Sequence, residues 1–211
     1  MNNMLEALKI IEETRVVSII RGIPKEHILA TIDALYKGGI RCVEITMDSP
    51  KALEMIELVK EKYADKILIG AGTVLDEVTA RNVILAGAEF ILSPTLSTKV
   101  IEVCNAYGKL AVPGVFTPTE ALTATLAGAQ IVKVFPVSSV GPGYIKDLLG
   151  PLSQIRVMPV GGVDESNAKA YLNNGATAVG VGSCLVNRTD VLNGDFEKIT
   201  KKAEALIKET K

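Results

Sequence analysis

The clearest candidate for covalent chemistry in this sequence is a lysine inside an apolar stretch. Residues 130–136 read Gln-Ile-Val-Lys-Val-Phe-Pro, with Lys133 at the centre. In a β-strand, alternation places Ile131, Lys133 and Phe135 on one face. Desolvation on that face disfavours the ammonium form, so we expect a lowered pKa and an amine that can attack a carbonyl carbon. The alternative is a lysine near a strand end whose ammonium group reaches solvent.

A carboxylate occupies a similar position earlier in the chain. Residues 42–46 read Cys-Val-Glu-Ile-Thr, and alternation puts Glu44 on the same face as Cys42 and Thr46. A carboxylate buried there needs a partner. One interpretation is a structural salt bridge between Glu44 and Lys133. The other, which we favour, is a general acid/base beside a nucleophilic amine, as imine chemistry requires.

Two further polar residues follow predicted strands. Arg21 ends the first one, directly before Gly22, and its planar guanidinium suits a substrate carboxylate. The alternative for Arg21 is a surface salt bridge. Thr73 follows Gly70-Ala71-Gly72, where we expect the glycines to let a ligand approach the backbone.

Glycine-rich turns follow the last two predicted strands. They read Pro-Val-Gly-Gly-Val-Asp at 159–164 and Gly-Val-Gly-Ser at 180–183. We expect each to lead into a helix N-terminus, where the N–H groups of Gly162, Val163, Gly182 and Ser183 could bind a phosphate. A role in turn formation alone is the alternative.

Eight strand-like segments alternate with helical patterns along the chain. The predicted strands cover 16–21, 41–46, 67–71, 90–93, 110–113, 131–135, 156–160 and 178–181. The predicted helices cover 25–37, 50–63, 76–86, 97–107, 117–127, 143–149, 164–173 and 196–208, with an extra N-terminal helix over 2–14. This order predicts a single-domain α/β protein over 1–211, a (β/α)8 TIM barrel, with an open doubly wound sheet as the alternative. Chemistry then belongs at the carboxyl ends of the strands, and we expect solvated charges at their beginnings: Arg41, Lys66, Lys109 and Arg156.

Composition excludes several classes of function. The formal net charge is −1 with no basic run, so we expect neither nucleic acid nor a membrane as a partner. The three cysteines are far apart, which indicates small buried thiols kept reduced in a cytoplasm. The single histidine, His27, leaves no histidine cluster for a metal, and no nucleotide-cofactor motif occurs. We therefore expect no metal and no cofactor.

Several short motifs, taken together, resemble one enzyme family. They are Val-Glu-Ile-Thr at 43–46, Gly-Ala-Gly-Thr-Val at 70–74, Leu-Ser-Pro at 92–94, Pro-Gly-Val-Phe-Thr-Pro-Thr-Glu at 113–120, Val-Lys-Val-Phe-Pro at 132–136, Gly-Gly-Val at 161–163 and Val-Gly-Ser at 181–183. The chain resembles the 2-keto-3-deoxy-6-phosphogluconate (KDPG) aldolases, which include 4-hydroxy-2-oxoglutarate (KHG) and 6-phosphogalactonate (KDPGal) relatives. The resemblance runs through nearly the whole chain.

The resemblance implies a metal-free class I aldolase: a cytoplasmic TIM barrel, usually a homotrimer, acting on a phosphorylated keto acid. Lys133 would form the Schiff base and Glu44 would move protons. The pyruvyl part would be held by Arg21, Thr73, Ser93, Pro94 and Phe135, and the phosphate by Gly161, Gly162, Gly182 and Ser183.

Two positions depart from the gluconate enzymes of that family. Those enzymes carry an arginine where this chain has Asp48, and a threonine where it has Val160. The galactonate relatives resemble this chain at both positions, so the preferred C4 epimer stays open. Two alternatives for the function also stay open: an aldolase for non-phosphorylated 4-hydroxy-2-oxoglutarate, and a non-catalytic barrel that binds a sugar phosphate.

Overall fold

The computed structural model describes residues 4–211, in which short strands alternate with helices. The strands are β1 (Val16–Ile20), β2 (Cys42–Thr46), β3 (Leu68–Gly72), β4 (Phe90–Leu92), β5 (Leu110–Val112), β6 (Gly114–Val115), β7 (Val132–Val134), β8 (Val157–Pro159) and β9 (Val179–Val181). The helices are α1 (Met4–Thr14), α2 (Ile28–Lys37), α3 (Ala52–Tyr63), α4 (Glu77–Leu85), α5 (Thr98–Ala106), α6 (Pro118–Leu126), α7 (Gly143–Leu149), α8 (Ala168–Asn173), α9 (Arg188–Leu192) and α10 (Phe196–Thr210). Residues 2 and 3 of the predicted first helix lie outside the described range.

The strands form a curled parallel α/β sheet in two parts. Six strands follow the order β5-β4-β3-β2-β1-β9, and three follow the order β6-β7-β8. Within residues 4–211 every strand pairing is parallel, including an isolated bridge between Val160 and Gly180. In place of the single strand predicted over 110–113, the structure has β5, which ends at Val112, and a separate strand β6, which begins at Gly114. Pro113 separates the two, because proline has no backbone N–H to donate to a neighbouring strand.

Side chains alternate between two hydrophobic clusters on the two faces of the sheet. On β1, Val16 and Ile20 belong to the cluster beneath the surrounding helices. Val17 and Ile19 belong to the other cluster, into which α1 also packs buried side chains. Arg156, just before β8, forms an ion pair with Glu12 of α1 at 2.5 Å. Helix α1 therefore lies at the amino ends of the strands and leaves their carboxyl ends open.

One of the charges expected to be solvated at the strand beginnings is buried. Lys109 precedes β5, and its Nζ lies 2.5 Å from the carboxylate of Glu89, which also binds Lys60 at 2.6 Å. The prediction for Lys109 was wrong because Glu89 is itself buried, and a buried carboxylate requires compensating cations. Within residues 4–211, no helix combines the length and apolarity needed to cross a membrane.

Candidate active site

Lys133 lies in the middle of β7, as the alternating pattern predicted. Its neighbours Val132 and Val134 belong to the cluster under the helices, whereas Ile131 belongs to the inner cluster. The lysine is 4% exposed, and its Nζ lies 4.8 Å from the centre of the Phe135 ring. Burial lowers the pKa of Lys133, with the charge of Arg21 acting in the same direction and that of Glu44 opposing it. These effects favour the neutral amine, which is the nucleophilic form.

The lysine faces a cavity of about 450 Å³ at the carboxyl ends of the strands. Most of the predicted site residues line it: Arg21, Thr73, Pro94, Lys133, Phe135, Val160, Gly161, Gly162, Gly182 and Ser183. The cavity is also lined by Val163, whose N–H the sequence analysis assigned to a phosphate, and by Ile19, Asp164 and Cys184, which the sequence analysis did not select. The prediction that all three cysteines are buried was wrong for Cys184, which is exposed. No motif marked that position.

Glu44 lies behind the cavity wall rather than in it. The residue is 1% exposed, and within the described chain neither of its carboxylate oxygens has a hydrogen-bonding partner. Burial raises the pKa of Glu44, while the positive charges of Lys133 and Arg21 lower it in part. A carboxylate of raised pKa near an amine of lowered pKa is suited to accepting and returning a proton. Because neither oxygen of Glu44 binds Lys133, the alternative of a direct Glu44–Lys133 salt bridge is wrong.

The glycines of β3 make room for side chains instead of a ligand. A Cβ on Gly72 would lie 1.4 Å from Oε1 of Glu44, and a Cβ on Gly70 would lie 2.5 Å from the Phe90 ring. The expectation that these glycines let a ligand approach the backbone was therefore wrong. Gly72 in particular provides the space that the Glu44 carboxylate occupies.

Arg21 stands at the rim of the cavity and is held on two sides. One terminal nitrogen forms an ion pair with Asp48, and the other donates to Oγ1 of Thr73 at 3.1 Å. Thr73 has a positive φ of 58°, an uncommon conformation for a β-branched residue. Arg21 thus forms the surface ion pair that was its alternative interpretation and also lines the cavity. Asp48 was noticed in the sequence only as a departure from a family pattern.

Ser93 does not line the cavity. Its hydroxyl is buried and donates to the carbonyl oxygen of Thr95 at 2.7 Å, which stabilises the turn after β4. The next residue, Pro94, does line the cavity. Of the predicted Ser93–Pro94 pair, only the proline is therefore in the wall.

The two glycine-rich loops meet at the cavity wall. Gly161 and Gly162 adopt φ of 93° and 81°, which favours glycine. The N–H groups of Gly162, Val163 and Ser183 have no backbone acceptor among residues 4–211. N–H groups without a backbone acceptor on two loops that line one cavity are suited to binding an anion.

The helix predicted to begin at 164 begins later, at Ala168. The side chain of Asn167 accepts from the N–H of Asp164 at 3.1 Å and donates to the carbonyl oxygen of Gly162 at 2.9 Å. These bonds hold a turn between the glycine loop and α8. In the described part of the chain, no group of three or more His, Cys, Asp or Glu side chains is placed to hold a metal ion.

A lysine and a carboxylate buried near each other, at the carboxyl ends of parallel strands, are the groups an enzyme needs to form an imine with a carbonyl substrate. Comparison with known proteins agrees with this class. The family model described as KDPG and KHG aldolase matches residues 8–202. This chain belongs to the KDPG and KHG aldolase family and is a lyase.

Similar proteins cover almost the whole chain. The 2-dehydro-3-deoxy-6-phosphogalactonate aldolase of Escherichia coli (strain K12) is 37% identical over 193 residues, which is 91% of this chain and 92% of that protein. The 2-dehydro-3-deoxy-phosphogluconate aldolase of Treponema pallidum (strain Nichols) is 31% identical over 198 residues, 93% of this chain and 94% of the relative. A structure of KDPG aldolase from Legionella pneumophila, with pyruvate captured at low pH as a covalent carbinolamine intermediate, has a TM-score of 0.89 at 28% identity and covers 95% of this chain and 97% of its own.

Proposed function

We propose that this protein cleaves 2-dehydro-3-deoxy-6-phosphogluconate, or its galactonate epimer, to pyruvate and D-glyceraldehyde 3-phosphate through a Schiff base on Lys133. The observation that carries the proposal is a pair of buried groups: Lys133, which lines the cavity and has a lowered pKa, and Glu44, whose two carboxylate oxygens have no hydrogen-bonding partner among residues 4–211. A captured carbinolamine of pyruvate in a related KDPG aldolase supports the same chemistry.

The proposed reaction begins with attack of the Lys133 amine on the C2 carbonyl carbon. Loss of water from the carbinolamine gives an iminium ion, and Glu44 transfers the protons for this step through a water molecule. The deprotonated Glu44 then accepts the C4 hydroxyl proton through a water molecule, and the C3–C4 bond breaks as the C4 aldehyde forms. The electron pair moves into the iminium as glyceraldehyde 3-phosphate leaves, and an enamine remains. Protonation of the enamine at C3 and hydrolysis release pyruvate and free the lysine.

The remaining site residues would bind the two ends of the substrate. Arg21, Thr73, Pro94 and Phe135 surround the lysine side of the cavity and would hold the pyruvyl part, with Ser93 supporting the turn that presents Pro94. The phosphate would accept hydrogen bonds from the loops after β8 and β9, at Gly161, Gly162, Gly182 and Ser183. Val160 would stand beside the middle of the substrate, where a methyl-bearing side chain offers no hydrogen bond to the C4 hydroxyl.

The test is reductive trapping. The protein is incubated with pyruvate and borohydride, and the adduct is located by intact-protein and peptide mass spectrometry. We expect one adduct, on Lys133, and none in Lys133→Met. Lys99→Met, which changes an exposed lysine, is the matched control and should keep the adduct. No adduct, or an adduct on another lysine, would overturn the proposal in favour of a non-catalytic sugar-phosphate-binding protein.

Trapping with pyruvate does not distinguish among aldolases that share this mechanism. Cleavage rates of both 6-phosphate epimers and of 4-hydroxy-2-oxoglutarate are therefore compared in one assay. Faster cleavage of the phosphorylated substrates, with competitive inhibition by inorganic phosphate, is the expected result. Faster cleavage of 4-hydroxy-2-oxoglutarate, with no inhibition by phosphate, would assign the chain to non-phosphorylated substrates.

We also propose that the two parts of the sheet form one (β/α)8 barrel, a single domain over 1–211 with α1 as its extra N-terminal helix. Support comes from Pro113, the one residue between β5 and β6, and from the bridge between Val160 and Gly180 next to β8 and β9. A homotrimer is proposed from the family resemblance and from large exposed apolar side chains on α4 and α6: Val78, Leu85, Leu122 and Leu126. A cytoplasmic location is proposed on the resemblance alone.

A further inference from the structure

The turn after β2 is held by hydrogen bonds to the turn after β1 and to the end of β3. Oγ of Ser49 accepts from the N–H of Gly22 at 2.8 Å and lies 3.1 Å from Oγ1 of Thr46. The N–H of Met47 donates to the carbonyl oxygen of Gly72 at 2.8 Å. The backbone on both sides of Asp48 is therefore fixed relative to the end of β1. Arg21 directly follows β1, and its side chain lines the cavity.

The Arg21 side chain is 54% exposed and Asp48 is 45% exposed, so neither is held by burial. A long side chain at such a position has many accessible rotamers, and ordering it costs conformational entropy. Asp48 and Thr73 bind the two terminal nitrogens and limit the guanidinium to one orientation. A guanidinium carries five N–H donors, so donors remain for a ligand in the cavity that Arg21 lines.

We propose that Asp48 is a positioning residue of the aldolase reaction, one that orients the Arg21 guanidinium at the rim of the lysine cavity and offsets part of its charge. This inference rests on the proposed function, because it assigns Arg21 to the substrate carboxylate. The geometry separates two effects of Asp48. Its carboxylate oxygen is an acceptor that orients Arg21. Its negative charge acts on the buried carboxylate of Glu44.

The charge of Asp48 reaches the buried carboxylate. The charged groups that act on Glu44 come from three parts of the fold: Lys133 on β7, Arg21 after β1 and Asp48 after β2. Asp48 raises the pKa of Glu44, whereas Lys133 and Arg21 lower it. Removing the negative charge at position 48 thus leaves Arg21 uncompensated and lowers the pKa of Glu44.

Two substitutions distinguish orientation from charge. Asp48→Asn keeps an acceptor for Arg21 and removes the charge, while Asp48→Ala removes both. We expect Asp48→Ala to raise KM by about tenfold with little change in kcat, the cost of losing one charge-assisted hydrogen bond. Asp48→Asn should keep KM close to that of the wild type, and Asp48→Glu should restore the wild-type pH profile. In both uncharged variants the acid limb of the kcat/KM profile should move to lower pH, since Glu44 then releases its proton more readily.

The matched control is Glu54→Gln, which removes one negative charge from an exposed ion pair with Lys25 on a neighbouring surface. This variant should change neither KM nor the acid limb. Equal KM values in Asp48→Ala and Asp48→Asn would overturn the orienting role. An unmoved acid limb in both would overturn the role of the charge.

Pyruvate trapping separates failure of this inference from failure of the proposed function. Wild-type protein without an adduct on Lys133 would overturn both. If the wild type forms the adduct and Asp48→Ala needs the same pyruvate concentration for half-maximal trapping as the wild type, only the positioning role is overturned. Thermal melts of each variant check that the protein measured is folded.

Discussion

A methyl group at position 72 should disable the site without removing any of its functional groups. In Gly72→Ala the new Cβ would lie 1.4 Å from Oε1 of Glu44, 2.3 Å from its Cδ and 2.7 Å from its Cγ. Non-bonded atoms require roughly 3.5 Å. The carboxylate therefore has to move by about 2 Å, because the methyl group belongs to a strand that is hydrogen-bonded on both sides.

The expected loss of activity follows from that displacement. A misplacement of about 1 Å in a catalytic group can cost on the order of 100-fold in rate. We therefore expect kcat to fall by at least about 100-fold in Gly72→Ala. Overpacking a closely packed region costs about 1–3 kcal/mol, so the free energy of unfolding should fall by that amount while the protein still folds.

A double-mutant cycle identifies Glu44 as the cause. In Glu44→Ala the carboxylate is absent, and the space beside Gly72 is empty. Adding Gly72→Ala to that variant should reduce neither the residual kcat nor the free energy of unfolding any further. Gly143→Ala is the matched control, since a Cβ there meets no atom within 4 Å. Our interpretation is refuted if Gly72→Ala costs as much in the Glu44→Ala background as in the wild type.

The remaining predictions concern stability. Ser18 is fully buried on β1, and its hydroxyl has no partner within the described chain, so Ser18→Ala should raise the free energy of unfolding by about 1 kcal/mol. The comparison variant is Ser97→Ala, which removes the N-cap of α5 and should lower the free energy of unfolding by about 1 kcal/mol. Both variants are measured by urea titration, and a loss of stability in Ser18→Ala as well as in Ser97→Ala would contradict the prediction for Ser18. Glu89→Gln should cost about 3 kcal/mol, because it leaves Lys109 buried without its carboxylate. Burial raises the pKa of Glu89, but the hydrogen bonds from Lys109 and Lys60 outweigh it and hold that pKa below the ordinary 4.5. The contribution of Glu89 to the free energy of unfolding is therefore complete above about pH 4.5 and is lost as the pH falls through the pKa of Glu89 in the folded protein. If the free energy of unfolding of Glu89→Gln falls with decreasing pH as steeply as that of the wild type, this reasoning is contradicted.

The parts of the site that follow from local pattern could be predicted from the sequence. Period-two alternation identified the face of β7 that carries Lys133, and the same rule placed Glu44 inward on β2. Both are statements about neighbours along one strand, where backbone geometry alone determines which way a side chain points. The glycine-rich loops were predictable for a similar reason, because they follow strands that share a direction and an edge.

The parts that depend on pairs far apart in the chain could not be predicted in this way. Arg21 and Asp48 are 27 positions apart, and Lys109 is 20 positions from Glu89. Nothing in either local sequence specifies these partners, which meet because parallel strands bring their ends together. The role of Gly72 was misassigned for the same reason. The atom that needs the space belongs to the adjacent strand, and a glycine next to a predicted site looks equally suited to a ligand.

The arrangement of Lys133 and Glu44 is better explained by reactivity than by stability. A direct salt bridge would satisfy the carboxylate, and it would also keep the lysine protonated and unable to attack a carbonyl carbon. Glu44 instead lies against Gly72 with both oxygens unpartnered in the described chain, close enough for its charge to raise the pKa of Lys133 but without a hydrogen bond to it. Burial then favours the neutral form of each group. The unmade hydrogen bonds cost stability, and they leave the carboxylate free to exchange protons with a water molecule during the reaction.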